Sequence, residues 1–264
     1  MAPRWQVLPF TTSSAAAQLA QTDQLLSSVA AGQTPATLRW YSYDAPALVL
    51  GVGQSESEID TRAAKAADVP VVRRSAGGAA VLANPTLIAL DVALPSSSPL
   101  AVTDVVESYR WLGEAFLTVL AALAPAALLA LVSVTQARSD RAAQAASALD
   151  TPDYLRGRAC FGTLSPYEVA LGVPGAASRK LIGLSQVRKR GVVLYQAGVY
   201  TRFSGAVMAG LLAVDAAGRS LLGAELDRRV ASLDDLQAGD DLDGRLKQAL
   251  NRRLTGQEAS TDAE

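Results

Sequence analysis

Three apolar segments that follow one another along the chain constrain the fold more than any other feature. They are YEVALGV (167–173), KLIGLSQVR (180–188) and GVVLYQAGVYTRF (191–203). Each is rich in residues that favour strands, and the turns PGAAS and KRG separate them. The run predicts consecutive antiparallel strands. Because these strands occur with scattered helices, without strict strand–helix alternation, the sequence favours an α+β fold over a doubly wound α/β fold.

The remainder of the chain mixes short strands with helices. A helix from Ser13 or Ser14 to about Ala31, a short helix after Ser55 and an amphipathic helix over 104–123 are predicted. The polar, Ala/Ser-rich stretch 136–157 predicts a mobile loop with at most a helical turn. Further strands are predicted at 7–10, 37–43, 47–52, 69–75 and 87–94.

The longest apolar stretch, residues 119–134, is too short for a membrane span and is interrupted by Pro125. We interpret it as the end of a core helix, a break and then a buried strand. The N-terminal segment lacks the apolar run of a signal peptide. After residue 204 the pattern becomes helical, and the polar last ten residues predict a disordered tail.

The composition excludes several kinds of site and partner. A formal net charge of −1 gives no electrostatic basis for binding nucleic acid or a membrane surface. The chain contains one cysteine and no histidine, which excludes an internal disulfide and leaves almost no ligands for zinc or haem. No metal site is therefore predicted, and a lone thiol fits a reducing cytoplasm.

A strand that ends in two arginines leads into a loop of small residues, VVRRSAGGAAVLANP (71–85). Glycines allow backbone N–H groups to approach phosphate or carboxylate oxygens, and Arg73 or Arg74 would supply a fixed charge. Small side chains also leave space for a long apolar ligand. From these residues alone, an ordinary turn with surface arginines remains an alternative.

Cys160 and Lys180 are the residues of the second motif, which spans 159–200. Lys180 lies twenty residues beyond Cys160, and the chain between them can form one strand and a turn, which would bring the two side chains together. The chain has twenty arginines but only four lysines, and a desolvated lysine can release its proton, whereas arginine cannot. Lys180 is therefore a candidate proton-transfer group. A buried structural cysteine and a surface lysine are the alternatives.

Taken together, these segments resemble the biotin/lipoate ligase and octanoyltransferase family. RRSAGGAAVLAN resembles the RRxSGGGAVxHD loop of that family, and SRKLIGLSQVRKRGVVLYQAGV resembles its GRKxxGSAQxRxxGxxLQHGS segment. ACFGTLSPYEV resembles the cysteine segment of the cysteine-dependent octanoyltransferases. The resemblance spans about residues 5–203. It implies a central mixed, largely antiparallel sheet flanked by helices, with the acyl chain in a tunnel under the Gly-rich loop.

The resemblance assigns roles to particular residues. Cys160 would hold the acyl group as a thioester, and Lys180, desolvated and beside Arg179, would withdraw the thiol proton. The following residues would line the pocket for the acyl group or acyl-adenylate: Arg73, Arg74, Gly77, Gly78, Ala79 and Ala80. The sequence departs from the family pattern where the His-Asp pair of the loop is Ala83-Asn84 and where LQHGS is YQAGV (195–199).

The resemblance implies an octanoyltransferase that moves an octanoyl or lipoyl group from acyl carrier protein to a lysine of a lipoyl domain or glycine-cleavage H protein. This reaction needs no cofactor. Two alternatives remain: a lipoate–protein ligase, which would need ATP and Mg, and a non-catalytic relative that binds an acyl group or a lipoyl domain. The expected organisation is a catalytic domain (1–215), a C-terminal helical extension (216–254) and a disordered tail (255–264).

Overall fold

The C-terminal half of the protein contains the predicted run of antiparallel strands. The computed structural model describes residues 4–172 and 177–256. Within it, Val169–Leu171, Arg179–Lys189 and Val192–Tyr200 pair in order and antiparallel. The KRG turn is confirmed, since Arg190 and Gly191 have φ values of 52° and 76°. Most of the predicted PGAAS turn lies outside the described residues.

The main sheet has seven strands in the order β1-β2-β6-β10-β9-β8-β7. Only β1 and β2 pair in parallel in this sheet, and every other neighbouring pair is antiparallel. The predicted α+β fold with a mixed, largely antiparallel sheet is therefore confirmed. The strands are β1 (Trp5–Ser13), β2 (Ala36–Tyr43), β6 (Leu87–Pro95), β7 (Leu129–Leu131), β8 (Val169–Leu171), β9 (Arg179–Lys189) and β10 (Val192–Tyr200).

A second, three-stranded sheet carries the Gly-rich loop. Its order is β4 (Val71–Arg73), β3 (Ala47–Leu50) and β5 (Val81–Ala83), with β3 parallel to β4 and antiparallel to β5. The loop connects β4 to β5. The small sheet therefore holds both ends of the loop, and its buried Leu48 and Leu50 pack among apolar residues of the helices beyond it.

Helices cover both faces of the main sheet. Leu25 and Leu26 pack α1 against Ala93 and Leu194 on one face. On the other face α3 and α8 share the largest apolar core of the described residues with strands of the sheet. The helices are α1 (Ala15–Ala30), α2 (Thr61–Ala66), α3 (Arg110–Leu123), α4 (Val134–Ala146), α5 (Pro152–Leu155), α6 (Gly205–Gly210), α7 (Ala216–Arg229) and α8 (Leu242–Thr255).

The stretch 119–134 is a helix end, a break and a strand, as predicted, but the strand is not buried. β7 is a three-residue edge strand in which Ala130 is exposed and Leu129 and Leu131 are half-buried. No helix in the part of the chain that the structure describes combines the length and apolarity needed to cross a bilayer.

The prediction of a mobile loop over 136–157 is wrong, because α4 and α5 occupy most of this stretch. Ser133 caps α4 by accepting a hydrogen bond from the N–H of Gln136 at 3.0 Å, and Thr151 caps α5. Only Ala137 of α4 is buried, so the helix has no apolar face for a sequence pattern to reveal.

Two helices, α7 and α8, occupy much of the predicted extension 216–254. Leu246 and Leu250 of α8 are buried in the same core as α3. The indole N–H of Trp40 in β2 donates to Asn251 in α8 at 2.8 Å. The division of the chain at residue 215 stays a prediction. α8 continues to Thr255, and residues 257–264 of the predicted tail lie outside the described residues.

Candidate active site

Two cavities meet at Cys160. One is a polar cleft of about 590 Å³ that contains Lys180 and Glu168 in its wall. The other is an apolar pocket of about 80 Å³ between the main sheet, α1 and the small sheet. Cys160, Leu184 and Ser185 line both. A group attached to the Cys160 sulfur can therefore place an apolar chain in the pocket while its reacting end faces the polar cleft.

The segment that carries Cys160 is hydrogen-bonded to the Gly-rich loop. The N–H of Cys160 donates to the Ala80 carbonyl at 2.8 Å, and the N–H of Ala80 donates to the Arg158 carbonyl at 3.1 Å. These two bonds form a short parallel bridge between the segments. The nucleophile candidate and the loop are thus held as one unit.

The structure places Lys180 against the backbone of Cys160. Its Nζ donates to the Cys160 carbonyl at 2.8 Å and forms an ion pair with Glu168 at 2.8 Å. Both charged side chains are only 1% exposed. Glu168 also accepts hydrogen bonds from the N–H groups of Leu184 at 3.1 Å and Ser165 at 2.7 Å. The carboxylate therefore fixes the position of the lysine beside the cysteine.

Burial dominates the electrostatics of this pair. It raises the pKa of Glu168 above the ordinary value of 4.5, although Lys180 and the two N–H donors act in the opposite direction. Tyr109 lines the same cleft, and burial raises its pKa as well. Because its pKa is raised, the Glu168 carboxylate accepts a proton more readily than an exposed glutamate, so the site contains a second proton acceptor besides the amine.

The structure corrects the role predicted for Arg179. Consecutive residues of a strand point to opposite faces, and Arg179 precedes Lys180 in β9. The Arg179 guanidinium binds Asp235 at 2.9 Å and the Val230 carbonyl, away from the cleft. The charge that contacts Lys180 is that of Glu168.

Arg74 and Arg73 have different positions. Arg74 is buried, lines the apolar pocket and donates to the Gly77 and Ala79 carbonyls at 2.8 and 3.0 Å. Its buried Nε–H has no acceptor among the described residues and is available to a bound group. Arg73 instead donates to the Gly51 and Gln54 carbonyls at 2.7 Å and lines neither cavity.

Gly77, Gly78 and Ala79 of the loop line the polar cleft, whereas Ala80 is buried and contributes its backbone to the bridge with Cys160. Gly78 has a φ of +96°, and a Cβ placed there would lie 3.0 Å from Arg74 and 3.9 Å from the Cys160 sulfur. A side chain at this position would be strained and would crowd the cysteine.

A buried arginine, Arg156, holds the cysteine segment in position through hydrogen bonds and an ion pair. Arg156 is 1% exposed, donates to the Gly162 carbonyl at 2.7 Å and forms an ion pair with Asp140 of α4 at 3.0 Å. Asp140 also accepts from Arg229 and from the N–H of Leu164, both at 3.0 Å. The helix that sequence analysis assigned to a loop therefore supports the position of Cys160.

Sequence reasoning named Cys160 and Lys180 as site candidates but did not include Glu168. One signal could have indicated it: a lysine buried between two strands requires an acidic partner, and Glu168 is the acidic residue between Cys160 and Lys180. Among the described residues, no three His, Cys, Asp or Glu side chains are placed to hold a metal ion.

The fold and cavities define a catalytic domain of the lipoate–protein ligase class. The family model described as lipoyl protein ligase A/B catalytic domain matches residues 14–252. The chain belongs to this family, as the resemblance of its motifs implies. Membership of this family makes it an enzyme.

Octanoyltransferase LipM of Exiguobacterium sp. is 30% identical over 232 residues, which cover 88% of this chain and 78% of the relative. Octanoyltransferase LipM of Kyrpidia tusciae is 31% identical over 196 residues, which cover 74% of this chain and 65% of the relative. A structure of the bipartite lipoate protein ligase of Thermoplasma acidophilum superimposes with a TM-score of 0.70 at 20% identity, covering 97% of this chain and 83% of that one. The last comparison concerns the fold alone.

Proposed function

We propose that this chain is an octanoyltransferase that moves an octanoyl or lipoyl group from an acyl carrier protein to a lysine of a lipoyl domain or an H protein. The observation that carries the proposal is the position of Cys160, which lies where an apolar pocket opens into a polar cleft beside the Lys180–Glu168 pair. The LipM octanoyltransferases that the chain resembles support the same assignment.

The first step transfers the acyl group to Cys160. Lys180 accepts the thiol proton, and the proton that the ion pair already holds moves along the hydrogen bond to Glu168. The Cys160 thiolate attacks the carbonyl carbon of the donor thioester and forms a new C–S bond. The C–S bond to the carrier breaks, and Lys180 returns a proton to the carrier thiolate. The unused Arg74 Nε–H is a donor for the developing oxyanion.

The second step transfers the acyl group to the acceptor. The amine of the acceptor lysine attacks the Cys160 thioester, an amide bond forms and Cys160 leaves as a thiolate. Lys180 and Glu168 receive a proton from the amine and return it to the sulfur, so the enzyme regains its initial state. No cofactor is consumed. The single thiol also supports a reducing location such as the cytoplasm.

The test is intact-mass spectrometry after incubation with octanoyl-acyl carrier protein. We expect one adduct of octanoyl mass that hydroxylamine removes, and no adduct on Cys160→Ala. Arg252→Ala, an exposed change on α8, is the matched control and should be loaded normally. Full octanoyl transfer to a lipoyl domain by Cys160→Ala would refute the thioester mechanism.

Two further outcomes separate this proposal from its alternatives. Incorporation of free lipoate that requires ATP and Mg would identify a ligase, which needs no cysteine. Tight binding of the acyl group or of a lipoyl domain without turnover of any donor would identify a non-catalytic relative. The absent family histidines motivate the second alternative.

A further inference from the structure

Residues of four neighbouring strands of the main sheet line the apolar pocket. Cys160, Leu184 and Ser185 lie at the end that joins the polar cleft, beside β9. The pocket continues past Gln196 of β10 and Ala89 of β6. It reaches β2, where Tyr41 lines it and does not line the cleft. We propose that Tyr41 forms the end wall of this pocket and sets the longest acyl chain that Cys160 accepts, an inference that rests on the proposed acyltransferase function.

The width of the sheet sets the length of the pocket. β9 and β2 are separated by three strand intervals, because β10 and β6 lie between them. At about 4.8 Å per interval the distance is about 14 Å. An extended octanoyl thioester reaches about 10 Å from the sulfur, and a dodecanoyl thioester, four methylenes longer, about 15 Å. On this estimate an octanoyl chain ends before the Tyr41 ring, which lies at the β2 end of the pocket, and a dodecanoyl chain meets it.

The Tyr41 ring is held rigidly. Its hydroxyl donates to Asp91 at 3.2 Å, and the Arg39 guanidinium lies 4.1 Å from the centre of the ring. Tyr43 packs edge-on against the same ring at 5.7 Å between centroids. The ring is buried and contacted from several sides. Its rotation to admit a longer chain would therefore break these contacts and cost free energy.

A polar network fixes Asp91 itself. Asp91 is fully buried and accepts from Arg39 at 2.8 Å, Thr22 at 2.7 Å and Gln196 at 2.9 Å. These donors come from three different elements, so the carboxylate stays in place even when one donor is lost. The end wall therefore rests on a buried ion pair and is not free to repack.

Ala89 supplies an independent way to test the wall. It pairs directly opposite Tyr41 in the β2–β6 ladder and lines the same pocket. Its small side chain leaves the space just before the Tyr41 ring open. A larger residue at position 89 should shorten the pocket, whereas a smaller residue at position 41 should lengthen it.

The experiment compares loading of Cys160 by a mixture of butanoyl, hexanoyl, octanoyl, decanoyl and dodecanoyl carrier thioesters, measured by intact mass. Tyr41→Ala should raise the ratio of dodecanoyl to octanoyl loading by about tenfold or more, which is the discrimination typical of misfitting methylenes. Tyr41→Leu should raise it less. Ala89→Val should shift the preference to hexanoyl or butanoyl.

Two controls isolate the end wall. Tyr41→Phe keeps the ring and should keep the wild-type limit of chain length. Leu38→Ala removes a buried side chain from the opposite face of β2 and should also leave that limit unchanged. Circular dichroism melts establish that each variant is folded. If Tyr41→Ala does not fold, Tyr41→Leu and Ala89→Val decide the question.

The outcomes distinguish this inference from the function on which it rests. No adduct on the wild-type protein with any chain length would overturn the proposed function. Loading of the wild type, with the same length profile in Tyr41→Ala, Tyr41→Leu and Ala89→Val, would overturn the role of Tyr41 and leave the proposed function standing.

Discussion

In the proposed mechanism, Glu168 and Lys180 take the role that histidine has in many cysteine enzymes. The chain has no histidine, and the Cys160 thiol still needs a proton acceptor. Lys180 lies beside Cys160, and Glu168 orients it by an ion pair of 2.8 Å. This is the arrangement of nucleophile, base and orienting group that other covalent enzymes use. Because both charged side chains are buried, each needs the other to offset the free-energy cost of its own burial.

Removal of Lys180 should make stability depend more strongly on pH. Burial already raises the pKa of Glu168, and Lys180→Met removes the cation that opposes that rise. The folded variant then retains a proton that the unfolded chain releases above its ordinary value of 4.5. The free energy of unfolding should therefore fall as the pH rises above that ordinary value, by up to about 1.4 kcal/mol per pH unit, when measured by urea denaturation.

Glu168→Gln in the Lys180→Met background is the control for this prediction. The double variant has no carboxyl group to titrate at this position, so its extra pH dependence should disappear. An equal slope in the single and double variants would show that another group is responsible. Lys180→Met should also fail to form the octanoyl adduct, since the thiol has then lost its proton acceptor.

The sequence predicted the pair Cys160 and Lys180 but not the third member, for a geometric reason. The β8–β9 ladder shifts register between Val169 and Ala170, and Tyr167 has a φ of 65° just before Glu168. These two irregularities direct the Glu168 carboxylate to Lys180. Neither follows from the alternation of apolar and polar residues, because both depend on how the strands meet.

Among the elements, α4 supports the cysteine segment through one side chain. Asp140 is its anchor, since it pairs with Arg156 beneath the cysteine segment and with Arg229 of α7. Asp140→Ala should reduce the free energy of unfolding by about 3 kcal/mol, because it leaves the buried Arg156 charge without its main partner. Urea denaturation gives the stability, and hydrogen exchange should show faster exchange in 134–146 and 156–162.

Asp153→Ala is the matched control. Asp153 also contacts Arg156 and Arg229, but its side chain is 58% exposed. Its loss should cost less than about 1 kcal/mol. Equal effects of the two substitutions would show that burial of Asp140 does not set the strength of the anchor.

The strands of the main sheet were easier to predict than α4. Strands β2, β6, β9 and β10 carry apolar residues on buried surfaces, and their patterns are visible in the sequence. In contrast, α4 is attached to the core mainly by the Asp140 carboxylate. The ion pairs of one carboxylate leave no periodic signal, although the Ser133 cap and the alanine content favour a helix.

At the scale of the whole molecule, α8 closes the largest core of the described residues. Leu250 and Leu246 pack with α3 and β2 although they lie more than 200 residues from β2 in the chain. Leu250→Ala should reduce the free energy of unfolding by about 2–5 kcal/mol in urea denaturation, because Leu250 is fully buried. Arg253→Ala, an exposed change in the same helix, should have little effect.

This contact bears on the predicted boundary at residue 215. If α8 stabilises the catalytic core, a chain cut after residue 241 should expose Leu38 and other core residues and unfold at a lower temperature. An unchanged melting temperature after that cut would support an independent domain. Long-range packing of this kind is not visible in a helical pattern, which shows that a helix has an apolar face but not what the face contacts.

The junction of the two cavities at Cys160 also limits the order of events. In the proposed mechanism the pocket holds the acyl chain, so the donor thioester and the acceptor amine both approach the sulfur from the polar cleft. They then bind one after the other. Initial rates should therefore follow double-displacement kinetics, with parallel lines in double-reciprocal plots. An excess of the carrier should inhibit the reaction by competing with the acceptor for the same form of the enzyme.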